Sequence, residues 1–514
     1  MKSAPLVLLV WDGFGCGLRN KSDATFSAGM PHFSQLKKQF PSTQLDASGA
    51  AVGLAPRVIG NSEVGHLTLG AGAIIPSLQQ CISTEVSAGR LAQHPLFAQM
   101  RNRTVHMIGL LSDGGVHSNL THLRACVAAA HQQGATKILF HAILDGRDVS
   151  PHSAATYLTE FETWPAVQLA SVQGRFYAMD RDNNYERTAL GAAVLRGEGR
   201  HAQSWQEALE KSYAAREYDE FVMPTVLSPQ GCHSGLSGNH LAVNANDIIF
   251  FANTRADRMR QLVSYVRNSH EHCIGLAEYS SALTERGVRY LYKPQSPATT
   301  LLHQLTTQHP QWRIGLVAET EKYAHITYFF DGRREESRDN VAYSLLASQK
   351  EESHAHRPAM RAEDITDQIC SWADEKECII ANYANADMVG HSGDLAATID
   401  ACGVLDRQLK ILYDDIVVER GGTIVLTSDH GNAEEMHDAE GRPCTSHTTN
   451  RVPFLLLRRD LEGIGFAKDV YGLANVAPTV LQLLGCVVPP EMAEVIAISN
   501  VFPYSVPTQS PFNQ

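Results

Sequence analysis

No stretch of this 514-residue chain approaches the roughly 18 consecutive apolar residues of a membrane-spanning helix, so no membrane partner is expected. Its ten cysteines (Cys16, Cys81, Cys126, Cys232, Cys273, Cys370, Cys378, Cys402, Cys444 and Cys486) never form a Cys-x-x-C pair. That scatter excludes a zinc ribbon and a disulfide framework, and it fits reduced thiols in a cytoplasmic protein. Positive charge is in deficit. With 43 Lys and Arg against 55 Asp and Glu, the formal charge of −12 argues against a nucleic-acid binder, which needs a basic surface. An acidic chain still binds anions if its arginines gather in one cleft. Internal repeats and low-complexity tracts are also missing. The N-terminal apolar run Leu6–Trp11 is too short for a signal peptide, is stopped at once by Asp12 and lacks a small-residue cleavage site. It reads as a buried strand.

What is present is globular. Hydrophobic residues make up 44% and charged residues 19%, and the length suits about two to four domains with proper cores. Short apolar runs alternate with helical patterns and end in Gly, Asp or Ser. Examples are Thr104–Leu111 before Ser112-Asp113-Gly114-Gly115, Ile138–Leu144 before Asp145, Asp247–Phe251 before Ala252, and Cys378–Asn382 before Tyr383. Continuously apolar strands suit parallel sheets covered by helices on both faces, so the fold class is α/β.

Chemistry-bearing residues follow several of these runs. Thr423-Ile424-Val425-Leu426 leads into Thr427-Ser428-Asp429-His430, Leu6–Trp11 into Asp12, and Cys378–Asn382 into Asp387 and His391. With His447 and Ser62 these give seven oxygen and nitrogen ligands without a thiolate, a set for hard or borderline divalent ions. One helical turn places Asp387 and His391 on one face. Singly, that pair and Asp429-His430 each read as well as a solvated acid beside a satisfied histidine. Their repetition after strand-like runs favours a metal centre. Gly60-Asn61-Ser62-Glu63-Val64 lacks the second glycine of a G-x-S-x-G elbow, and Ser62 alone reads as a helix N-cap. Metal coordination would instead make its hydroxyl a nucleophile.

The ligand-type residues occupy the first ~70 and last ~130 positions, whereas arginine motifs fill the middle, so one domain is inserted into another. Joints are expected at Gly70–Pro76 and Lys293–Pro297, both rich in breakers, and Ser499–Gln514 reads as a loose, proline-bearing tail. The middle segments are Asp145-Gly146-Arg147-Asp148, Gly174–Asp182, Asn184-Tyr185-Glu186-Arg187 and Asn253–Arg258. Guanidinium forks bind carboxylate and phosphate bidentately, which suits a small, multiply anionic metabolite. Paired with neighbouring acids, the same arginines would be surface salt bridges. Ser112–Ser118 adds a glycine-permitted loop presenting His117, for anion binding or proton transfer; otherwise its Asp-Gly-Gly is only a turn.

Ten stretches, in order and spacing over residues ~6–455, resemble the cofactor-independent (2,3-bisphosphoglycerate-independent) phosphoglycerate mutases of the alkaline-phosphatase-like superfamily. They are Trp11–Gly15, Gly60–His66, Gly109–Ser118, Leu144–Asp148, Gly174–Asp182, Asn253–Arg258, Glu321–His325, Ala381–Gly393, Thr427–Glu434 and His447. The resemblance implies an alkaline-phosphatase-like parallel-sheet domain from residues 1–74 and 296–514, binding metal. A second α/β domain, 75–295, would be the inserted substrate-binding transferase domain. It implies two Mn²⁺, or Mg²⁺ or another divalent ion, and no 2,3-bisphosphoglycerate. One ion would be held by Asp387, His391 and His447, the other by Asp12, Ser62, Asp429 and His430. Ser62 would carry the phosphoryl group and Lys322 would contact it. His117, Arg147, Asp148, Arg181, Arg187, Arg255 and Arg258 would hold the glycerate, with Asp148 also the general acid/base.

The implied reaction interconverts 3-phosphoglycerate and 2-phosphoglycerate in glycolysis and gluconeogenesis, in a monomer whose domain closure excludes water. A metal-dependent phosphatase or different phosphomutase, and a non-catalytic relative, are the competing readings. Two departures stand out. The family's Pro-Ser-Pro-Lys-Val-Ala-Thr-Tyr stretch is replaced by Tyr343–Glu352, and a Gly-Gln pair before the nucleophile segment by Pro56-Arg57-Val58-Ile59. Both bear on hinge geometry, since neither removes a ligand or an arginine.

Overall fold

The computed structural model describes residues 4–227, 241–349, 353–438 and 440–498. Cys232, positions 350–352 of the divergent stretch and the tail Ser499–Gln514 lie outside the described residues. The chain divides into two compact units, one of Met1–Ser77 with Ser296–Gln514, the other of Leu78–Gln295. The class is α/β, as its apolar runs imply. No helix among the described residues is long and apolar enough to cross a membrane.

The first unit is built on an eight-stranded sheet in the order Val341–Leu346, Ile314–Glu319, Cys378–Tyr383, Leu6–Trp11, Thr423–Thr427, Val452–Leu457, Ser42–Asp46 and Val470–Gly472. The first five run parallel, whereas Val452–Leu457 is antiparallel to both its neighbours, so the sheet is mixed at one side. Leu6–Trp11 shows why the core strands carry no polar alternation. Leu6, Leu8 and Val10 pack into one apolar cluster, and Val7, Leu9 and Trp11 into another on the opposite face. Successive side chains point to opposite sides, and helices cover both. Each such leucine contributes about 1.5–3 kcal/mol by burial.

The second unit has its own eight-stranded sheet. Its order is Arg289–Tyr292, Cys273–Ala277, Ile248–Phe251, Thr104–Leu110, Lys137–Leu144, Gln168–Gly174, Thr225–Leu227 and Arg200–Ala202. From Arg289–Tyr292 to Gln168–Gly174 the strands are parallel. Again both faces are buried: Val105 and Met107 enter one cluster, Ile108 and Leu110 another. In each sheet four adjacent parallel strands therefore bring their carboxyl ends, and the loops that follow, side by side. Such strand ends are where α/β sheets hold ligands.

Candidate active site

In the first unit the four adjacent strands Ile314–Glu319, Cys378–Tyr383, Leu6–Trp11 and Thr423–Thr427 deliver Lys322, Asp387, Asp12 and Asp429-His430 respectively. Two glycines let these loops close. Gly13 turns the chain at φ +72°, and a Cβ there would lie 2.6 Å from the Asp387 backbone; one on Gly65 would lie 2.6 Å from the Asp429 carbonyl. The second contact seats the helix Ser62–Ala71 against the Asp429 loop. That helix is capped by Asn61, whose side chain accepts from the Val64 amide. The N-cap expected of Ser62 is thus taken by its neighbour, because the asparagine carbonyl already satisfies the first-turn donor. Ser62 sits in the first turn with its hydroxyl directed elsewhere.

Ser62 is buried, and its hydroxyl is crowded by charge. Lys322 Nζ donates to Ser62 Oγ at 2.8 Å, His430 Nε2 lies at 3.0 Å, and Ser62 Oγ donates to Asp12 Oδ1 at 3.2 Å. The same ammonium bonds Asp12 Oδ1 at 2.7 Å and Asp387 Oδ2 at 2.6 Å. Burial penalises both carboxylates, but Lys322 outweighs it and holds Asp12 and Asp387 well below the ordinary range. In return, and against its own burial, Lys322 is pushed up by Asp12, Asp387 and Asp429. Burial would lower His430, yet Asp429, Asp12 and Asp387 raise it to about 10.

Asp387 Oδ1 is a second focus. His447 Nε2 lies 3.2 Å from it, His391 Nε2 3.3 Å and His430 Nε2 4.0 Å, and the His391 and His447 nitrogens are 3.0 Å apart. Their other ring nitrogens are oriented by backbone carbonyls, Nδ1 of His391 by Thr445 and Nδ1 of His447 by Gly60. The structure thus gathers Asp12, Ser62, Lys322, Asp387, His391, Asp429, His430 and His447 at one end of one sheet. Candidate metal-ligand groups are Asp387, His430 and His447, and Asp12, His66 and Asp429, each with ligand atoms within 4.8 Å. Among the described residues Asp429 Oδ2 is buried and accepts no hydrogen bond, its nearest ring nitrogen being His66 Nδ1 at 3.2 Å, and an oxygen so placed suits a cation. Oxygen and imidazole donors, and no thiolate, fit a hard or borderline divalent ion.

Sequence reasoning missed three supporting residues here. His66 Nδ1 faces the Ser62 carbonyl at 2.9 Å and Asp429 Oδ2 at 3.2 Å. Asn382 Nδ2 bridges Asp12 Oδ2 at 2.8 Å and His66 Nε2 at 2.9 Å. Glu434 accepts from the amides of Gly15 and Asn432. All three lie within the motif stretches, but nothing in their spacing separates a ligand from its support.

In the second unit the segments that follow Thr104–Leu110, Lys137–Leu144, Gln168–Gly174 and Ile248–Phe251 bring together His117, Arg147, Asp148, Arg175 and Arg255. Arg181 and Arg255 share Asp257, at 2.8 and 3.0 Å. Arg187 reaches Asp180 at 3.3 Å and lies over the Phe176 ring at 4.0 Å. Arg147 keeps a long 3.5 Å contact with Glu220 and stays half-exposed. Arg258 donates to the Met179 carbonyl, and burial and then Arg181, Arg175 and Arg147 depress it. Guanidiniums repelling one another, two of them on one carboxylate, are more than surface salt bridges require; an incoming anion relieves that repulsion. Sequence reasoning passed over Arg175 and Asp145, which are buried behind the exposed forks.

The chain's similarities to known proteins agree with this geometry. Residues 82–286 match the family model described as BPG-independent PGAM N-terminus. The chain is 38% identical to the 2,3-bisphosphoglycerate-independent phosphoglycerate mutase of Clostridium perfringens over 96% of this chain and 98% of that one. It is 39% identical to the mutase of that name from Desulforudis audaxviator, over 95% and 98%. A crystal structure of Leishmania mexicana phosphoglycerate mutase at low cobalt concentration superposes with a TM-score of 0.70 at 27% identity, covering 97% and 98% of the two chains. The chain belongs to the 2,3-bisphosphoglycerate-independent phosphoglycerate mutase family and is an enzyme of that kind, an isomerase.

Proposed function

We propose that the enzyme interconverts 3-phosphoglycerate and 2-phosphoglycerate, in glycolysis and gluconeogenesis, through a phosphoserine at Ser62. The observation that carries this reading is the Ser62 hydroxyl, held at a helix start among Lys322, His430 and Asp12. A structural serine needs none of these neighbours. Asp387, His391 and His447 would hold one divalent ion, and Asp12, Ser62, Asp429 and His430 a second, manganese being the first choice. His66 would then orient Asp429 from behind. Such ions, when bound, lower the pKa of a coordinated hydroxyl and offset charge on the transferring phosphoryl group.

The chain's own residues do the rest. Ser62 Oγ gives up its proton and attacks phosphorus, the bond to one glycerate oxygen breaks, and that oxygen takes up a proton. The half-reaction is thus neutral in protons, and the return step reverses this at Ser62. The freed glycerate reorients, its other hydroxyl attacks phosphoserine, loses its proton, and Ser62 is regenerated. Lys322 Nζ, already bonded to Ser62 Oγ, neutralises developing phosphoryl charge. His117, Arg147, Arg181, Arg187, Arg255 and Arg258 would bind the glycerate end. Asp148 would move protons to and from its hydroxyls. No 2,3-bisphosphoglycerate is required, because the phosphoryl group leaves and returns to the same serine. The enzyme is proposed to act as a monomer in the cytoplasm.

An enolase-coupled assay on 3-phosphoglycerate with manganese and without 2,3-bisphosphoglycerate tests the reading. EDTA should abolish turnover and manganese restore it. Inorganic phosphate release without mutase turnover would instead make the chain a phosphatase.

A further inference from the structure

Arg175 is the one guanidinium of the second unit's cluster that is almost wholly enclosed, with 4% of its side chain exposed. It opens the short helix Arg175–Ala178 directly after the strand Gln168–Gly174, so the sheet itself fixes its position. Its three short contacts come from two other strand ends. Nη1 donates to Asp145 Oδ1 and to Asp148 Oδ2, both at 2.6 Å, and Nη2 lies 2.8 Å from His117 Nε2.

The last contact decides a proton. A guanidinium has five donors and no acceptor, and it does not deprotonate in proteins. Nε2 of His117 must therefore accept, which a ring carrying its proton on Nε2 cannot do. Burial first, then the charges of Arg175 and Arg255, lower His117 to about 4, against the pull of Asp148 and Asp257. The ring at neutral pH is uncharged, and its single proton sits on Nδ1. That nitrogen is buried and has no hydrogen-bond partner among the described residues. A buried N–H aimed at nothing is rare in folded proteins.

We infer that Arg175 is a positioning residue that locks His117 as its Nδ1–H tautomer, so that His117 offers the bound glycerate a hydrogen-bond donor and not a base. The ligand atom it suits is an oxygen acceptor, a carboxylate or hydroxyl oxygen of a small hydroxy acid. Through Nη1 the same group aims Asp148, so the donor and the proposed acid/base are set by one side chain. This assignment of the acceptor rests on the proposed substrate; the tautomer does not.

The test is a two-bond ¹H–¹⁵N correlation spectrum of imidazole nitrogens in the intact ¹⁵N-histidine-labelled chain at pH 7, with His117→Gln identifying the signal. The wild type should show His117 as Nδ1–H. Arg175→Met, which keeps bulk but removes every donor, should move it toward Nε2–H. Mutase kcat should fall up to about a hundredfold, with added guanidinium restoring part of it. Arg175→Lys, retaining one charged donor, should keep the Nδ1–H form if the methionine variant does not fold. His117 found as Nε2–H or doubly protonated in the wild type would overturn the inference, as would an unchanged tautomer in Arg175→Met. A wild type with the Nδ1–H form but no mutase turnover would sink the proposed reaction while leaving the tautomer assignment standing.

Discussion

Lys322 Nζ bonds Ser62 Oγ at 2.8 Å while also gripping Asp387 Oδ2 at 2.6 Å, so one ammonium ties the hydroxyl to an acid 325 positions further along the chain. The lysine comes from the short helix Thr320–Ala324 after one strand, the acid from the helix Asn385–Gly390 after the neighbouring strand, and the serine from a helix start. Lys322 contributes charge at the reacting oxygen and is not among the ligand atoms. Lys322→Met should therefore lower kcat by about two to three orders of magnitude. Manganese affinity should not weaken, since the variant removes a cation bound to Asp12 and Asp387. Coupled assay and calorimetric titration check the two halves; a variant with normal turnover would remove Lys322 from the chemistry.

Asn382 holds Asp12 Oδ2 and His66 Nε2 with one amide nitrogen. Asn382→Ala leaves two buried groups unsatisfied, at about 1–3 kcal/mol each. With Asp12 no longer oriented, manganese affinity should fall about 10- to 100-fold. Unaltered affinity in calorimetry would show that Asp12 is placed by the strand alone.

The second unit carries a buried chain of polar groups that should make stability depend on pH. Ser171 Oγ faces His141 Nδ1 at 2.8 Å, His141 Nε2 faces His106 Nδ1 at 3.0 Å, and His106 Nε2 lies 3.4 Å from Asp247. Burial lowers His106 to about 4 despite Asp247, and burial, then the neighbouring His106, holds His141 well below the ordinary histidine range. Below the unfolded histidine pKa of about 6.5 the unfolded chain takes up protons that the folded chain refuses, so stability falls with pH. The loss from His106 runs from about pH 6.5 to 4 and amounts to a few kcal/mol on the order of 1.4 per unit. Melting of the EDTA-treated chain should show a steep drop over that window, flattened in His106→Gln. Equal slopes in both proteins would contradict it.

The strands were legible wherever both faces of a sheet are covered. Leu6–Trp11 and Ile424–Leu426 are unbroken apolar runs because each successive side chain meets a different cluster. The mixed edge was not legible. Ser42–Asp46 alternates half-buried and buried positions and carries one leucine, so its pattern gives no direction. Acids at strand ends pointed to the first unit's site because topology gathers such ends. What orients them was hidden. Asn61 and Ser62 are both plausible caps in sequence, and only the helix start shows which one caps. Arg175 looks like its exposed neighbours, and only burial shows that it faces inward.

Within the arginine cluster Arg258 is depressed, by burial first and then by the charges of Arg181, Arg175 and Arg147. Arg258→Ala should raise KM for 3-phosphoglycerate at least about tenfold, a charge-assisted contact being worth roughly 1.5–3 kcal/mol, with the melting temperature little changed. A lowered kcat at constant KM would place it at the reacting atoms instead.

The most direct measurement is acid quench of the manganese-loaded enzyme turning over ³²P-labelled 3-phosphoglycerate, followed by peptide mapping of the labelled residue. The account expects label on Ser62, competent to pass to glycerate, and none in Ser62→Ala, which also loses turnover. Mutase turnover persisting in Ser62→Ala, or label on another residue, would contradict it.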